Sequence, residues 1–203
     1  TAPSDLFLEL DGAEARVELD AGTELLATAV DRASGIFAAL DADAKLHLYR
    51  QHVRIGVFET GLQIDEEFRP ALVISHDGSS IFLTDGHCIV VVDGAGSIAK
   101  RLDLHYRLGA LNCSPDGKRC AVSDLDANLV RVYDGSLTQT HQRFAIDLLS
   151  EAKKSQLFAS PLTASAALGP LVISSKGALA FALSGTVCVT SLARLKAQPK
   201  PTA

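Results

Sequence analysis

The sequence contains no tryptophan and no methionine, and aromatic residues make up only 5% of its 203 positions. Cysteine is also scarce, since four cysteines are too few to hold a chain of this length together as a disulfide scaffold. No Cys-x-x-Cys pair is present, which argues against a structural zinc site. This cysteine usage is typical of a cytoplasmic protein without a bound metal.

Basic clusters and long apolar runs are missing as well. The formal net charge is −5, from 19 basic and 24 acidic residues, and no apolar run approaches the ~20 residues of a membrane-spanning helix. We therefore expect neither nucleic acid nor a membrane as a partner. Hydrophobic residues make up 47% and charged residues 21% of the chain, a balance that is typical of a globular protein with a sizeable core.

Short apolar runs and tight turns alternate in the stretch Leu111–Gly135, LNCSPDGKRCAVSDLDANLVRVYDG. The runs are too short for helices and are rich in valine, leucine and cysteine. In the turn Ser114–Gly117, proline fixes its own φ and glycine tolerates a positive φ. The second turn, Asp124–Asn128, consists mainly of small polar residues that can hydrogen-bond their own backbone. The pattern predicts three short strands joined by two turns.

Copies of this stretch recur along the chain. The strand that precedes the first turn and the turn itself overlay in three segments, Ala71–Gly78, Ala110–Gly117 and Pro170–Gly177. A weaker copy begins near Leu25. The period of roughly 40 residues is the length of a four-stranded blade in a β-propeller.

The segment SPDGKRCAVSDLDANLVRVYD and its copies, over residues 23–194, resemble WD-repeat and related YVTN-type or lactonase-like propeller repeats. The chain departs from the WD pattern because Val92-Asp93 and Tyr133-Asp134 stand where Trp-Asp would end the third strand. The resemblance implies an all-β fold, a β-propeller made of about four four-stranded antiparallel blades. Its core strands are predicted at 25–30, 36–40, 46–50, 71–75, 80–84, 88–92, 110–113, 119–123, 128–133, 170–173, 179–183 and 186–190.

The repeat also predicts how the chain is divided. The segments are 1–22, an N-terminal β-hairpin of a closing or preceding blade; 23–62, 63–104 and 105–148, three blades; 149–169, an insertion with helical character over 148–154; 170–194, a last, incomplete blade; and 195–203, a flexible tail. In the second and third blades, the fourth strand is expected to end at Leu102–Leu104 and at Ile146–Leu148.

The last blade has no predicted fourth strand, and an unpaired strand edge is an aggregation hazard. Two explanations remain open. The chain is the C-terminal part of a larger propeller that another segment or chain completes, or the N-terminal strand Ala15–Leu19 pairs with the last blade. We favour the first explanation. If Ala15–Leu19 completed the last blade, the predicted strand before it would be surplus, because no blade would have a position for it.

No constellation of catalytic residues is visible. The six histidines are scattered over different blades without ligand spacing, and no serine lies in a Gly-x-Ser-x-Gly elbow. Asn112 is the one polar outlier in the first strands of the blades. Asp124, Asp126 and Asn128 have the spacing that opens a calcium loop, but the closing glutamate is absent and the residues suit a turn. We predict no catalytic, cofactor-binding or metal-binding residues.

Two clusters of polar and aromatic residues near strand ends form the candidate interaction surface. They are His105, Tyr106 and Arg107, and His141 and Arg143. Tyrosine and arginine are favoured in protein interfaces. The sequence therefore predicts a non-catalytic scaffold that binds a protein partner as part of a larger assembly. The alternative is a lactonase-like or other hydrolytic propeller enzyme, which would need converging carboxylates or histidines in its central channel.

The cysteines give the first testable prediction. Cys113 and Cys120 lie where the copies carry plain hydrophobic residues, so we interpret all four cysteines as small buried apolar groups. Titration with a thiol reagent under denaturing, non-reducing conditions should find four free thiols. A count of two would refute this interpretation and indicate a disulfide.

Overall fold

The computed structural model describes residues 5–10, 13–18, 23–65, 68–148, 168–183 and 186–197. Regular structure in these ranges consists of β-strands and two short 3-10 helices, which confirms the predicted all-β class. The chain folds as two compact units, residues 1–101 and 102–203. Within the described ranges, no helix is long and apolar enough to cross a bilayer.

An N-terminal hairpin and two antiparallel sheets come first in the chain. The hairpin pairs β1 (Asp5–Leu10) with β2 (Ala13–Glu18). Sheet I contains β3 (Leu25–Asp31), β4 (Ile36–Asp41), β5 (Lys45–Arg50) and β6 (Val53–Glu59). Sheet II contains β7 (Ala71–Ile74), β8 (Ser80–Thr84), β9 (Cys88–Asp93) and β10 (Ile98–Asp103).

Two further antiparallel sheets follow. Sheet III contains β11 (Leu108–Cys113), β12 (Arg119–Asp124), β13 (Leu129–Asp134) and β14 (Gln139–Phe144). Sheet IV contains β15 (Leu168–Ile173), β16 (Ala178–Leu183) and β17 (Thr186–Ser191). The 3-10 helices are Ala145–Leu148 and Leu192–Arg194, and β18 (Lys196–Ala197) pairs with β14 as a fifth strand of sheet III.

The cores lie between sheets that pack face to face. Sheets I and II enclose one apolar cluster, and sheets III and IV enclose another. In sheets I, II and III the second and third strands are the most buried, and all six residues of β4 are buried. Burial on both faces explains why these strands read as continuous apolar runs rather than as alternating patterns.

Side chains close the turns in the same way in successive sheets. Ser75, Ser114 and Ser174, each directly after the first strand of its sheet, accept a backbone N–H across the turn at 2.9–3.0 Å. After the second strand, one carboxylate oxygen of Asp41, Asp85 and Asp124 accepts two backbone N–H groups of the following turn. These recurring bonds satisfy the turn backbone where the ladder stops.

The predicted core strands match the observed ones to within two residues at each end. The fourth strand of sheet III differs: it is β14 rather than a strand that ends at Ile146–Leu148. That segment forms a 3-10 helix, which begins where the Ala145 amide bonds the Asn128 carbonyl at 2.9 Å. Of the expected helical stretch 148–154, only Leu148 is described, and the insertion 149–167 lies outside the described residues.

The strand pairings at the two ends of the chain concern the predicted incomplete last blade, which is sheet IV. In the described part of the chain, β2 pairs with β1, and sheet IV has three strands. The expected tail 195–203 begins with a short strand, β18, before the description ends at Ala197. Sheet IV therefore keeps the three-stranded form that the sequence predicts.

All four cysteines are buried thiols that are not joined in disulfides. Cys113 and Cys120 are register partners across the β11–β12 hairpin. Burial, and next the nearby Cys113 thiol, raise the pKa of Cys120 well above its usual value. A buried, protonated thiol of this kind behaves as a small hydrophobic group.

A pair of turn glycines tests how tightly sheets I and II pack. Gly78 and Gly35 share a φ of +67°, but a Cβ on Gly78 would lie 2.6 Å from Ile36 Cδ1, and one on Gly35 would lie 3.2 Å from the flexible Gln51 Cγ. Gly35→Ala should lower the free energy of unfolding by about 1 kcal/mol through backbone strain. Gly78→Ala should lower it by about 3 kcal/mol, because overpacking adds to that strain. Urea unfolding measures both, and equal losses would contradict the packing argument.

Candidate functional site

Two loops meet at one end of sheet III. The β10–β11 connection carries Arg107, whose backbone N–H and Nε donate to the Asp126 carboxylate at 2.9 and 2.7 Å. The Leu125 amide donates back to the Arg107 carbonyl at 2.8 Å. These three hydrogen bonds join the β12–β13 turn to the β10–β11 connection at this end of sheet III.

Arg131 in β13 lies at the centre of this region. Its Nε and Nη2 donate to Asp124 Oδ2 at 2.9 and 2.6 Å, and its Nη1 donates to Gln139 Oε1 at 3.0 Å and to Gln142 Oε1 at 2.8 Å. The Asp124 side chain is only 1% exposed and that of Arg131 18%. Buried charges are tolerated when they are paired and hydrogen-bonded in this way.

A bulge in the β13–β14 ladder brings both glutamines to Arg131. Gln142 is the register partner of Arg131, whereas Gln139 is the partner of Tyr133, and the register shifts between Val132 and Tyr133. Residues three apart on a regular strand would point to opposite faces. The extra residue of the bulge turns both amides to the same face of sheet III.

Two tyrosines complete the network. The guanidinium carbon of Arg131 lies 4.5 Å from the ring centroid of Tyr106, within cation–π range. The hydroxyls of Tyr106 and Tyr133 are hydrogen-bonded to each other at 2.7 Å. Burial, followed by the Tyr133 phenol, raises the pKa of Tyr106 far above its usual range, and burial also raises the pKa of Tyr133. Both phenols are therefore neutral at physiological pH.

These groups form the floor and one wall of a cleft of about 540 Å³, here called the Tyr106 cleft. Leu102, Leu104, Ala127 and Leu137 contribute apolar surface, and Asp103 and Asp126 are exposed at the cleft. The remaining lining residues are His105, Tyr106, Asp124, Arg131, Tyr133 and Gln139. The cleft thus combines apolar walls with more carboxylates than cations.

The structure divides the predicted interaction surface between the two faces of sheet III. His105 and Tyr106 line the Tyr106 cleft, and Arg107 adjoins it through Asp126. His141 and Arg143 are instead the register partners of Val132 and Val130, on the face opposite to Arg131. Only the first of the two predicted clusters therefore belongs to the cleft.

The other two predicted residues are tied to neighbouring backbone and side chains. Arg143 Nη1 donates to the Arg194 carbonyl at 2.5 Å, and His141 Nδ1 lies 3.0 Å from Thr140 Oγ1. Burial, together with the positive charge of Arg119, lowers the pKa of His141 below its usual value. The Arg143 contact links sheet III to the segment that follows sheet IV, and Arg143 itself remains exposed.

Sequence reasoning missed Arg131 and the residues that bind it. Arg131 stands between Val130 and Val132 in an otherwise apolar strand, where the copies carry Val90 and Cys188. A single charge in the third strand of a repeat was the available indication. Asn112, the polar outlier in the first strands, is half-buried beside its register partner Ala121 and does not line the cleft.

Both carboxylate oxygens of Asp124 bind groups of the protein itself. Asp124 Oδ1 accepts the amides of Asp126 and Ala127 at 3.0 and 2.9 Å, while Oδ2 binds Arg131. Asn128 has a φ of +51°, which asparagine tolerates in turns. Among the described residues, no group of three or more histidine, cysteine, aspartate or glutamate side chains is arranged to hold a metal.

A second candidate surface lies on sheet IV. Val172, Ala180, Ala182, Val187 and Val189 share one face of this sheet, which we call the open face. Val187 and Val189 are 67% and 72% exposed, although Val130 and Val132, at the equivalent positions of sheet III, are fully buried. Leu46 and Leu48, at the equivalent positions of sheet I, are fully buried too. The open face therefore has the composition of a packed face without a covering layer in the described structure.

Comparison with known proteins identifies the fold. No family model and no curated protein matches the sequence. The Cps50 (Swd1) β-propeller domain of Myceliophteria thermophila superposes with a TM-score of 0.63 at 12% identity, over 94% of this chain and 63% of that one. The RRP9 WD40 repeats give 0.64 at 12%, over 98% and 55%. KlAtg21, in complex with the coiled coil of AgAtg16, gives 0.64 at 14%, over 88% and 58%.

These similarities confirm the predicted fold: the sheets are blades of a β-propeller. At 12–14% identity they show the fold alone. The chain spans between about half and two thirds of the length of these three proteins.

The Arg131–Asp124 pair gives a prediction about stability. Arg131→Met should lower the free energy of unfolding by about 3 kcal/mol or more, because it leaves the Asp124 carboxylate buried without its counter-ion. Arg107→Met is the matched control, since the Arg107–Asp126 pair is 53% and 43% exposed and its loss should cost less than about 1 kcal/mol. Urea unfolding measures both variants. Similar losses of unfolding free energy in the two variants would contradict the argument that burial makes the Arg131–Asp124 pair the more important one.

Proposed function

We propose that this chain is a non-catalytic β-propeller module that serves as a platform for protein–protein interaction within a larger assembly. The open face of sheet IV carries the proposal. Rigid blades position such a surface without any catalytic group, and propellers host many functions, so the argument rests on the surface itself.

The open face has two properties of an interaction surface. It is apolar, with Val172, Val187 and Val189 all more than half exposed. It also ends at β17, which has no further strand beside it in the described part of the chain, so that its outer N–H and C=O groups can pair with another strand. An exposed apolar patch next to an open sheet edge favours the docking of a β-structured partner.

The packing between sheets III and IV indicates what kind of partner surface would fit the open face. Between sheets III and IV, Val130 and Val132 with the small Ala121 receive Leu179, Phe181 and other large apolar side chains. Ala180 occupies the position of Ala121 on the open face. A further blade-like sheet, with large apolar residues on its inner face, would therefore fill the open face. Another segment or another chain would supply this sheet and complete the propeller.

The comparisons support a protein partner. KlAtg21 was solved with the coiled coil of AgAtg16, and the three matched chains are longer than this one. No observation on the described residues favours the hydrolytic alternative. A cytoplasmic location stays a prediction from cysteine usage.

Substitutions that introduce charge on the open face test this proposal. The isolated chain should self-associate and bind an apolar dye through the open face, and Val187→Lys with Val189→Lys should abolish both. The valines are already exposed, so the free energy of unfolding should change by less than about 0.5 kcal/mol per site. Sedimentation velocity over a wide concentration range and dye fluorescence provide the readouts.

The matched control replaces two other exposed apolar residues, which lie on outer strands. Val53 is 70% and Ile98 49% exposed, and Val53→Lys with Ile98→Lys adds the same charge. This control should associate and bind dye as the unmodified chain does. If both double variants behave alike, or if the unmodified chain neither associates nor binds dye, the open face is not the interaction surface.

A further inference from the structure

Five basic side chains that are far apart in the sequence lie along the junction of sheets III and IV. We call them the basic strip; they are Lys118, Arg119, Arg143, Lys176 and Arg194. We propose that the basic strip binds an acidic segment of a partner polypeptide, with several aspartate or glutamate residues. This inference rests on the proposed role in protein interaction, but it uses a surface other than the open face of sheet IV.

Two hydrogen bonds bring the members of the basic strip together. Arg119 Nη1 donates to the Ser175 carbonyl at 2.6 Å, so that the turns that carry Lys118 and Lys176 lie side by side. At the other end, Arg143 Nη1 donates to the carbonyl of Arg194, in the 3-10 helix after sheet IV. Each end of the strip therefore combines sheet III with a segment next to a strand of sheet IV.

Strand register places both ends of the strip on the same face of sheet III. Arg119 precedes Ala121 by two residues in β12, and Arg143 is the register partner of Val130. Ala121 and Val130 both belong to the apolar core between sheets III and IV, so the two arginines flank that core. Their partners on β13, Asp134 and Val130, are four residues apart, which separates the two ends by about 13 Å along the strands.

The positive charges of the strip are not neutralised by ion pairs. Four of its members are exposed, and Arg119 is half-buried. The side-chain hydrogen bonds of Arg119 and Arg143 go to carbonyl groups, which carry no net charge. Ion pairs among the described residues involve none of the five. An approaching carboxylate would therefore meet cations that have no counter-ion of their own.

The balance of charge around the strip is positive. The nearest carboxylates in sequence or register are Asp116, Asp134 and Asp147, three against the five basic groups. The first two also accept hydrogen bonds from their own turns. Burial, and next the charge of Arg119, lower the pKa of His141, so its imidazole is neutral at physiological pH and adds no charge. The strip thus opposes the net charge of −5 of the whole chain and attracts anionic groups.

The form of the strip favours an acidic polypeptide over a nucleic acid. None of its five members is aromatic, whereas surfaces that bind single-stranded nucleic acid stack bases on aromatic side chains. The acidic chain as a whole would also repel a long phosphate backbone. In an extended polypeptide, residues four positions apart lie on the same side and span about 13 Å. A short segment with carboxylates at that spacing would reach both ends of the strip.

Selection from a phage-displayed library of random linear peptides on the full chain tests the proposal. Peptides that lose binding to Lys118→Gln with Lys176→Gln, or to Arg143→Gln with Arg194→Gln, should be enriched in aspartate and glutamate, with acidic residues about four positions apart. Fluorescence polarisation at low salt with a selected peptide should show binding about threefold or more weaker to each double variant. Replacing the acidic residues of the peptide by their amides should abolish binding.

Two further variants control for charge and folding. Arg32→Gln with Arg69→Gln removes the same charge from exposed positions in the other compact unit and should leave the affinity unchanged. Lys118→Glu with Lys176→Glu should reject the acidic peptide and bind its counterpart with lysine at the acidic positions. The far-ultraviolet circular dichroism of every variant should stay that of the unmodified chain.

Three results would overturn the proposal. The first is enrichment of basic or uncharged peptides. The second is equal binding of an acidic peptide to the strip variants and to the control. The third is displacement of the peptide by a single-stranded RNA of equal charge more effectively than by the unlabelled peptide, which would identify a nucleic acid as the preferred ligand.

The outcome can be separated from that of the open face. Binding of the acidic peptide should not fall in Val187→Lys with Val189→Lys, and the strip variants should self-associate as the unmodified chain does. Loss of self-association in the valine variant with no acidic peptide selected would support the open face and refute the basic strip. The opposite pattern would support the basic strip and refute the open face as an interaction surface.

Discussion

Packing of apolar sheet faces against neighbouring sheets is the constraint on which the rest of the structure depends. The central strands are apolar on both sides, so that a single sheet would expose as much apolar surface as it hides. Packing sheet I against sheet II, and sheet III against sheet IV, removes one face of each from water. The open face of sheet IV follows from the same rule, because it has the composition of a packed face. The same requirement that each apolar sheet face be covered thus accounts both for the stacking of the sheets and for the open face as a binding surface.

The same constraint explains where polar residues are found. Faces that pack against another sheet leave no room for unpaired polar groups, and the described polar residues that are most buried lie mainly at strand ends. Asp41, Asp85 and Asp124 are nearly inaccessible, and each binds two backbone amides of the following turn. These hydrogen bonds compensate for the loss of water and fix the turns from which the third strands begin.

The fold could be predicted from the sequence because it depends on short-range patterns of turn residues and apolar residues. Turn residues at fixed offsets and short apolar runs located the twelve core strands, and their period of roughly 40 residues indicated propeller blades. The candidate site was harder, because it depends on contacts between strands. The two predicted clusters look alike in the sequence, but His105 lines the Tyr106 cleft from the β10–β11 connection, whereas Arg143 lies on the face of sheet III opposite to Arg131. The bulge that turns Gln139 and Gln142 to the same side depends on strand register, which residue types alone do not reveal.

The Arg131 site shows how a repeat acquires an individual feature without losing its fold. In sheet I the second oxygen of Asp41 binds His47 Nε2 at 2.7 Å, and His47 stands at the position of Arg131. In sheet IV, Leu183 and Cys188 occupy the positions of Asp124 and Arg131, so the carboxylate and its partner are both replaced by apolar groups. In sheet II, Val90 stands at the position of Arg131, and the second oxygen of the buried Asp85 accepts the Gln63 amide at 3.0 Å instead. The buried carboxylate thus has a hydrogen-bond donor in each of sheets I, II and III, as burial requires. The donor itself varies among sheets, and in sheet III it is Arg131, which lines the Tyr106 cleft.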